Sequence, residues 1–222
     1  MKKRKNLITV AIDSPAAAGA GTQAKLISKH FKLFYLDTGK IYRYIGKLKI
    51  DNKEQFSYKF IKKKISGLKL TYLKNKTLLS NEVAVSASKI AKDKKIRDIV
   101  HTFQQKCAYN PPTKYRGSVL DGRDIITVQI KDAMFKFFIT ANLKTRAKRR
   151  YDEYKKLKIR ITFKDVLKSL RIRDKSDKER KFGALKKTKE STLINTTKLS
   201  KKACFNKIKL IMEKKIKING NI

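Results

Sequence analysis

The sequence predicts an α/β protein in which a central parallel sheet is covered by helices on both faces. Two observations predict it. Short apolar runs of the kind that form buried strands alternate with longer stretches of helical periodicity, and three of the apolar runs end at an acidic residue, Asp13, Asp37 and Asp121. Strands buried on both faces read as unbroken apolar runs, and the ligands of such sheets bind beyond the carboxyl ends of the strands. With 222 residues, 41% of them hydrophobic, the chain can bury one sizeable core and carry small appended lobes, so one domain with mobile parts is expected.

The elements follow in order. Residues 7–12 form a buried strand that runs through small residues into a helix over 22–31. A short strand over 34–36 leads to a helix over 40–50. Residues 68–79 read as a hairpin turning at Lys74-Asn75-Lys76, and 84–105 has helical periodicity. Asn110-Pro111-Pro112 breaks that helix, because proline has no N–H to donate. Short apolar strands over 118–120 and 135–139 precede a charged helix from 143 to about 157. Thr162 opens another helix, with Asp165 three residues on as in a capping box. A last strand covers 193–195, Ser200 starts a closing amphipathic helix, and there are no internal repeats.

The strand–turn–helix at 8–22 has the architecture of a phosphate-binding loop, in which small residues let backbone N–H groups curl round phosphates. Compared with Gly-x4-Gly-Lys-Ser/Thr, the chain reads Ser14-x4-Gly19-Ala20-Gly21-Thr22, so the lysine that would reach the β- and γ-phosphates is alanine. The backbone cradle and the helix N-terminus attract an anion without it. Taken alone, the segment reads equally well as a small-residue turn.

Four more motifs stand in order along the chain. They are Asp37-Thr38-Gly39-Lys40-Ile41-Tyr42-Arg43, Glu82-Val83-Ala84-Val85-Ser86-Ala87-Ser88, Asp121-Gly122-Arg123-Asp124, and Arg173-Asp174-Lys175-Ser176-Asp177-Lys178-Glu179-Arg180. With the loop, this set resembles the bacterial cytidylate kinases among the nucleoside monophosphate kinases, over most of the chain. The resemblance implies a three-layer P-loop NTPase fold with a core of 1–39, 106–150 and 190–222, an acceptor-binding lobe of about 40–105 and a lid of about 151–189. The implied activity is transfer of phosphate from ATP, with Mg2+, to CMP or dCMP by a monomer. The region at 68–79 is shorter than the family's usual insert, which implies looser closure of the acceptor lobe.

Phosphoryl transfer asks for little covalent chemistry and much placement of charge, so arginines should dominate the site. Ser14, Pro15, Ala16, Ala17, Ala18, Gly19, Ala20, Gly21 and Thr22 align with the donor loop, and Arg149, with Arg146 and Arg150, with the arm of the lid. The resemblance assigns Arg43, Arg123 and Arg180 to the acceptor phosphate, and Arg173 and Asp177 to the ribose. Cytosine presents an amino donor beside the N3 and O2 acceptors. Asp124 and Thr38 can accept from the amino group, Arg97 can donate to N3 and O2, and Ser88 would orient Arg97. Asp121 ends an apolar strand where a carboxylate would hold Mg2+ through water. On residue type alone each arginine would serve as well in a surface ion pair, Ser88 and Thr38 as caps of their own backbone, and Asp121 as part of a turn.

Two departures matter. Ser14 replaces the first loop glycine, which restricts the turn if that position needs positive φ. For Ala20 three explanations stand: another cation serves, the chain only binds nucleotide, or the substitution was introduced. A complete acceptor site favours a working enzyme, with Lys40, where the family carries a small residue, as a catalytic substitute.

Composition bounds the other classes. The net charge of +40 suggests a nucleic-acid binder, but its basic clusters, Lys62-Lys63-Lys64, Lys148-Arg149-Arg150 and Lys186-Lys187, are short and scattered. A specific nucleic-acid partner is therefore not expected. Cys107, Cys204, His30 and His101 offer no metal or disulfide framework. No run approaches the roughly 20 apolar residues of a membrane span, and MKKRKN leads directly into a strand, which predicts a cytoplasmic location without a membrane partner.

Overall fold

The computed structural model describes residues 7–218; the basic lead-in at 1–6 lies outside the described residues. The strands are β1 (Ile8–Asp13), β2 (Phe34–Asp37), β3 (Gly117–Gly122), β4 (Phe135–Thr140) and β5 (Thr192–Asn195). The helices are α1 (Ala20–Phe31), α2 (Thr38–Asp51), α3 (Tyr58–Ser66), α4 (Asn81–Ile90), α5 (Lys94–Tyr109), α6 (Leu143–Lys156), α7 (Phe163–Glu179) and α8 (Lys201–Ile218). The strands form one parallel sheet in the order β2-β3-β1-β4-β5.

β1 is buried along its whole length, and its side chains divide between the faces with the period of two that a pleated strand imposes. Ile8, Val10 and Ile12 enter a core with Ile27 of α1 and Ile208 and Met212 of α8. Ala11 faces the other core, with Ile41 and Ile45 of α2 and Ile96 and Val100 of α5. Strand register aligns Asp13 with Gly122 and Asp37 with Asp121, so the acidic strand ends come to one edge of the sheet.

The predicted hairpin at 68–79 is absent. Two 3-10 turns, Leu70–Lys74 and Lys76–Leu79, take its place and bury Leu73 and Leu78 beside α2 and α4. An isolated two-stranded ribbon is marginal in water, whereas these turns deliver their leucines to a core already present. The single helix expected over 84–105 is two, because Asp93 accepts a hydrogen bond from Ile96 N at 3.0 Å and caps a new start at α5. α3, with apolar Ile61 and Ile65 four apart, was not expected.

α2 and α4 cross at Gly46, where an added Cβ would lie 2.9 Å from Ala87 N and 3.2 Å from Val83 O. Both atoms are backbone and cannot swing aside. Gly46→Val should therefore destabilise the fold by about 2–3 kcal/mol, the cost of an overpacked contact. Denaturant unfolding tests this, and an unchanged midpoint would show that the two helices can separate freely.

Candidate active site

The loop after β1 keeps its cradle without its lysine. Ser14 needs no left-handed backbone; that conformation falls at Ala17 (φ 61) and Gly19 (φ 95). The first bond of α1 runs from Gln23 N to Gly19 O, so the N–H groups of Ala20, Gly21 and Thr22 have no acceptor on their own helix. Loop carbonyls are drawn the other way. Arg146 donates to Ala16 O at 3.1 Å, and Arg149 Nη1 (3.4 Å) and Thr196 Oγ1 (2.9 Å) donate to Ala18 O. In a trans peptide C=O and N–H point in opposite directions, so bracing the carbonyls outward turns the following N–H groups toward the cleft. Arg146 is itself fixed by both oxygens of Asp174, and Arg149 by Thr196. These arginines thus hold the loop's shape, and Arg150 is the one of the three that lines the cleft.

Beyond the strand ends, the buried Asp13 carboxylate accepts from Ile125 N (2.7 Å) and Ile126 N (3.0 Å). Those bonds cap a π-helical turn at Ile125–Gln129, a form wound wider than an α-helix and frequent at functional sites. Burial, opposed by the two N–H bonds, pushes the Asp13 carboxyl up to about 7. Asp121 is also buried, and burial followed by the neighbouring Asp37 pushes its carboxyl well above the usual range. Its Oδ1 has no hydrogen-bond partner among the described residues. An orphaned carboxylate oxygen beside a second carboxylate, with Thr22 lining the same cleft, fits a divalent cation. No cluster of three or more His, Cys, Asp or Glu that could hold a metal ion occurs among the described residues.

The acceptor side is dominated by arginine. Arg43, Arg123, Arg150, Arg173 and Arg180 line one cleft of about 440 Å³, and Asp177 is the acid that Arg123, Arg173 and Arg180 share. Asp177 Oδ2 accepts from Arg123 Nε at 2.6 Å and lies 3.9 Å from Arg173 Nε, while Oδ1 lies 3.7 Å from Arg180 Nη1. Burial works against the Asp177 charge, but these arginines outweigh it and hold the carboxyl below its usual range. Arg173 is left short of counter-charge. Burial and the nearby Arg123 bring its guanidinium down to about 10, and its Nε makes no hydrogen bond among the described residues. Arg43 is anchored through Leu78 O at 2.7 Å.

Deeper in the cleft, Arg97 pairs with Asp124, donates to Ala91 O at 3.1 Å and lies over the Tyr42 ring. Ser88 lines the cleft, but the bonds that orient Arg97 come from Ala91 and Asp124, not from Ser88. Thr38 donates to Asp121 O at 2.7 Å. Gly183 (φ 62) lies flat on the Arg97–Asp124 pair, where a Cβ would come within 2.7 Å of Asp124 Oδ2. Lys40 lines the cleft from the first turn of α2, its N–H bonded to Asp37 Oδ1 at 3.2 Å.

Three contributors escaped the sequence reading. Lys25 lines the cleft one turn after Thr22, and its charge acts on Asp121; its i+3 spacing from Thr22 was the available signal. Gln129 contacts Asp124, and Gly183 covers it; neither stands in a recognisable pattern.

A parallel sheet with an anion-cradling loop at β1 and an arginine-lined cleft beside it defines a nucleotide-binding protein of the P-loop class. A profile of the cytidylate kinase family matches residues 10–214. The chain is 36% identical to the cytidylate kinase of Thermosipho melanesiensis, over 94% of this chain and 98% of that protein. It is 35% identical to that of Clostridium botulinum and 39% to that of Fusobacterium nucleatum, each over 93% of this chain and 98% of the relative. The chain belongs to the cytidylate kinase family. A crystal structure of an uncharacterized protein from Eubacterium ventriosum shares the fold, with a TM-score of 0.53 at 15% identity over 93% of this chain and 98% of that one.

The raised Asp13 carboxyl has a sign. The folded state holds this proton up to about pH 7, whereas an unfolded aspartate releases it near 4. Stability from this group is therefore full below about pH 4 and lost as pH rises toward 7, by at most about 1.4 kcal/mol per unit. The native melting temperature should fall more steeply across that window than that of Asp13→Asn. Parallel curves would contradict the assignment.

Proposed function

We propose that this chain transfers the γ-phosphoryl group of ATP to CMP or dCMP, giving CDP or dCDP and ADP. The observation that carries the reading is the convergence of three arginines, Arg123, Arg173 and Arg180, on one acid, with Arg43 and Arg150 lining the same cleft, which opens on the phosphate-binding loop. An excess of partly desolvated guanidinium groups calls for an anion, and planar guanidinium binds phosphate oxygens bidentately.

In this reading the N–H groups of the loop and of the α1 N-terminus hold the donor phosphates. Arg43, Arg123 and Arg180 hold the acceptor phosphate, one oxygen of which attacks the γ-phosphorus as its bond to the β,γ-bridging oxygen breaks. Mg2+, when bound beside Asp121 and Thr22, would neutralise charge on the donor phosphates. Arg150 would offset charge on the transferring group. Arg97 and Asp124 match the acceptors and the amino donor of cytosine, with Thr38 and Ser88 on the same wall. Asp177 has a first task in holding Arg123 and Arg180, and with Arg173 a second at the ribose. The lobe of about 40–105 and the lid of about 151–189 would close on the two nucleotides. No described helix is long and apolar enough to cross a membrane. We read the enzyme as monomeric and cytoplasmic, with no specific nucleic-acid partner.

The missing lysine requires another cation. Lys25 and Lys40 line the same cleft as Asp37 and Asp121, and neither is in an ion pair among the described residues. Lys25 is the better placed, because it shares a helix face with Thr22 and its charge reaches Asp121.

Two measurements test this. In a coupled assay for ADP release, CMP and dCMP should exceed AMP by at least about tenfold in kcat/KM, because adenine is larger and lacks an acceptor equivalent to O2. Comparable use of AMP would overturn the base assignment. Lys25→Ala should lower kcat by about 100-fold, the scale of a lost transition-state charge, with CMP binding changed less than about threefold. Lys40→Ala should cost less, and Ala20→Lys should change the rate little. A large gain from Ala20→Lys, with both alanine variants silent, would mean that no native cation compensates.

A further inference from the structure

Gln129 is a carboxamide in a dry place. Its residue is 2% exposed, at the end of a segment in which Ile125, Ile126 and Ile130 are all buried. An amide in such surroundings costs free energy unless it is bonded, and an apolar side chain of similar length would fill the space without that cost. Only one end of the amide is satisfied. Nε2 donates to Asp124 Oδ2 at 3.2 Å, while Oε1 is buried with no partner among the described residues. The opposite amide orientation would set an oxygen against a carboxylate, so the donating end must face Asp124.

The wide turn creates this contact. Gln129 N donates to Asp124 O at 3.2 Å and Ile130 N to Ile125 O at 2.9 Å, which brings residue 129 back over residue 124. The turn is held separately by Asp13 at its start and by Gln105 Nε2, which donates to Gln129 O at 3.3 Å. The side-chain amide is therefore not what holds the turn. Its donor lands on the same Asp124 oxygen that receives Arg97 Nη2. No protein donor reaches Oδ1 among the described residues.

We infer that Gln129 is a positioning residue for base recognition: with Arg97 it pins one oxygen of Asp124, leaving the other aimed to accept the amino group of cytosine and to repel the O4 carbonyl of uracil. The inference rests on Asp124 as a reader of the base. Gln129 touches no substrate. It acts by denying Asp124 the rotation that would let the pocket adapt to uracil, which presents an acceptor where cytosine presents a donor.

The test uses two variants of matched length, Gln129→Met, which removes the donor, and Gln129→Glu, which replaces it with an acid. For each, kcat/KM is measured with CMP and with UMP, together with KM for ATP, thermal stability, and CMP binding by calorimetry without ATP. The CMP-to-UMP ratio should fall about five- to tenfold, the range of one well-placed hydrogen bond, chiefly through weaker CMP binding, while KM for ATP stays within about twofold. An unchanged ratio in a folded variant would overturn the inference, as would equal losses for CMP and ATP, which mark a merely structural role. Asp124→Ala separates the two levels of the argument. If it keeps the native preference for CMP, the base assignment falls and this inference with it; if it abolishes the preference while both Gln129 variants stay silent, only the role of Gln129 falls.

Discussion

Several guanidinium groups gathered round one carboxylate are stable only where an anion can join them, and this constraint sets the layout of the molecule. Arg180 is 6% exposed in its side chain and Arg123 19%, with Asp177 at 9% between them. Burying like charges without counter-charge is costly, which is visible in the depressed Arg173 guanidinium. The fold places this unbalanced cluster beside the amino end of α1, itself an electropositive site. Both features point to phosphate, and both depend on a parallel sheet that ends its central strands together.

Within that layout the phosphate-binding loop depends less on any one cation than on its bracing. Arg146 and Arg149 on α6, with Thr196 after β5, take up the carbonyls of Ala16 and Ala18, so the loop's shape is fixed from behind. Binding a nucleotide's phosphates is thereby separated from stabilising the transferring group. In the proposed function the first falls to backbone, which Ala20 leaves intact, and the second to positive charge, which the arginines and two cleft lysines can provide. A second division runs through the proposed acceptor site, where Asp177 pairs with Arg123, Arg173 and Arg180 and Asp124 with Arg97.

The sequence disclosed most of the sheet and nearly all of the cleft, for a physical reason. Phosphate and base recognition require particular side chains at strand ends, so Asp37, Asp121, Arg123, Asp124 and the arginines of α7 stand in short local patterns. What was hidden depends on distant partners. Residues 68–79 alternate like a hairpin, yet Leu73 and Leu78 go where α2 and α4 leave room. The π-helical turn is capped by Asp13, 112 residues away from Ile125, and no local propensity announces it. Asp93 was a legible cap that the run of helical periodicity concealed. The hold of the Ala91 carbonyl, one turn after Ser88, on Arg97 was likewise hidden, since a backbone acceptor leaves no mark in the side-chain pattern.

The central claim is that a loop without its lysine still works as a donor site because the cleft supplies the charge. Single-turnover transfer of labelled γ-phosphate from ATP to CMP, with Mg2+ and enzyme in excess, tests it directly. The account predicts labelled CDP as the product, formed by the native chain and lost in Arg123→Ala and Arg180→Ala although ATP still binds. Tight binding of both nucleotides with no labelled CDP would contradict it, and so would transfer that persists without those arginines.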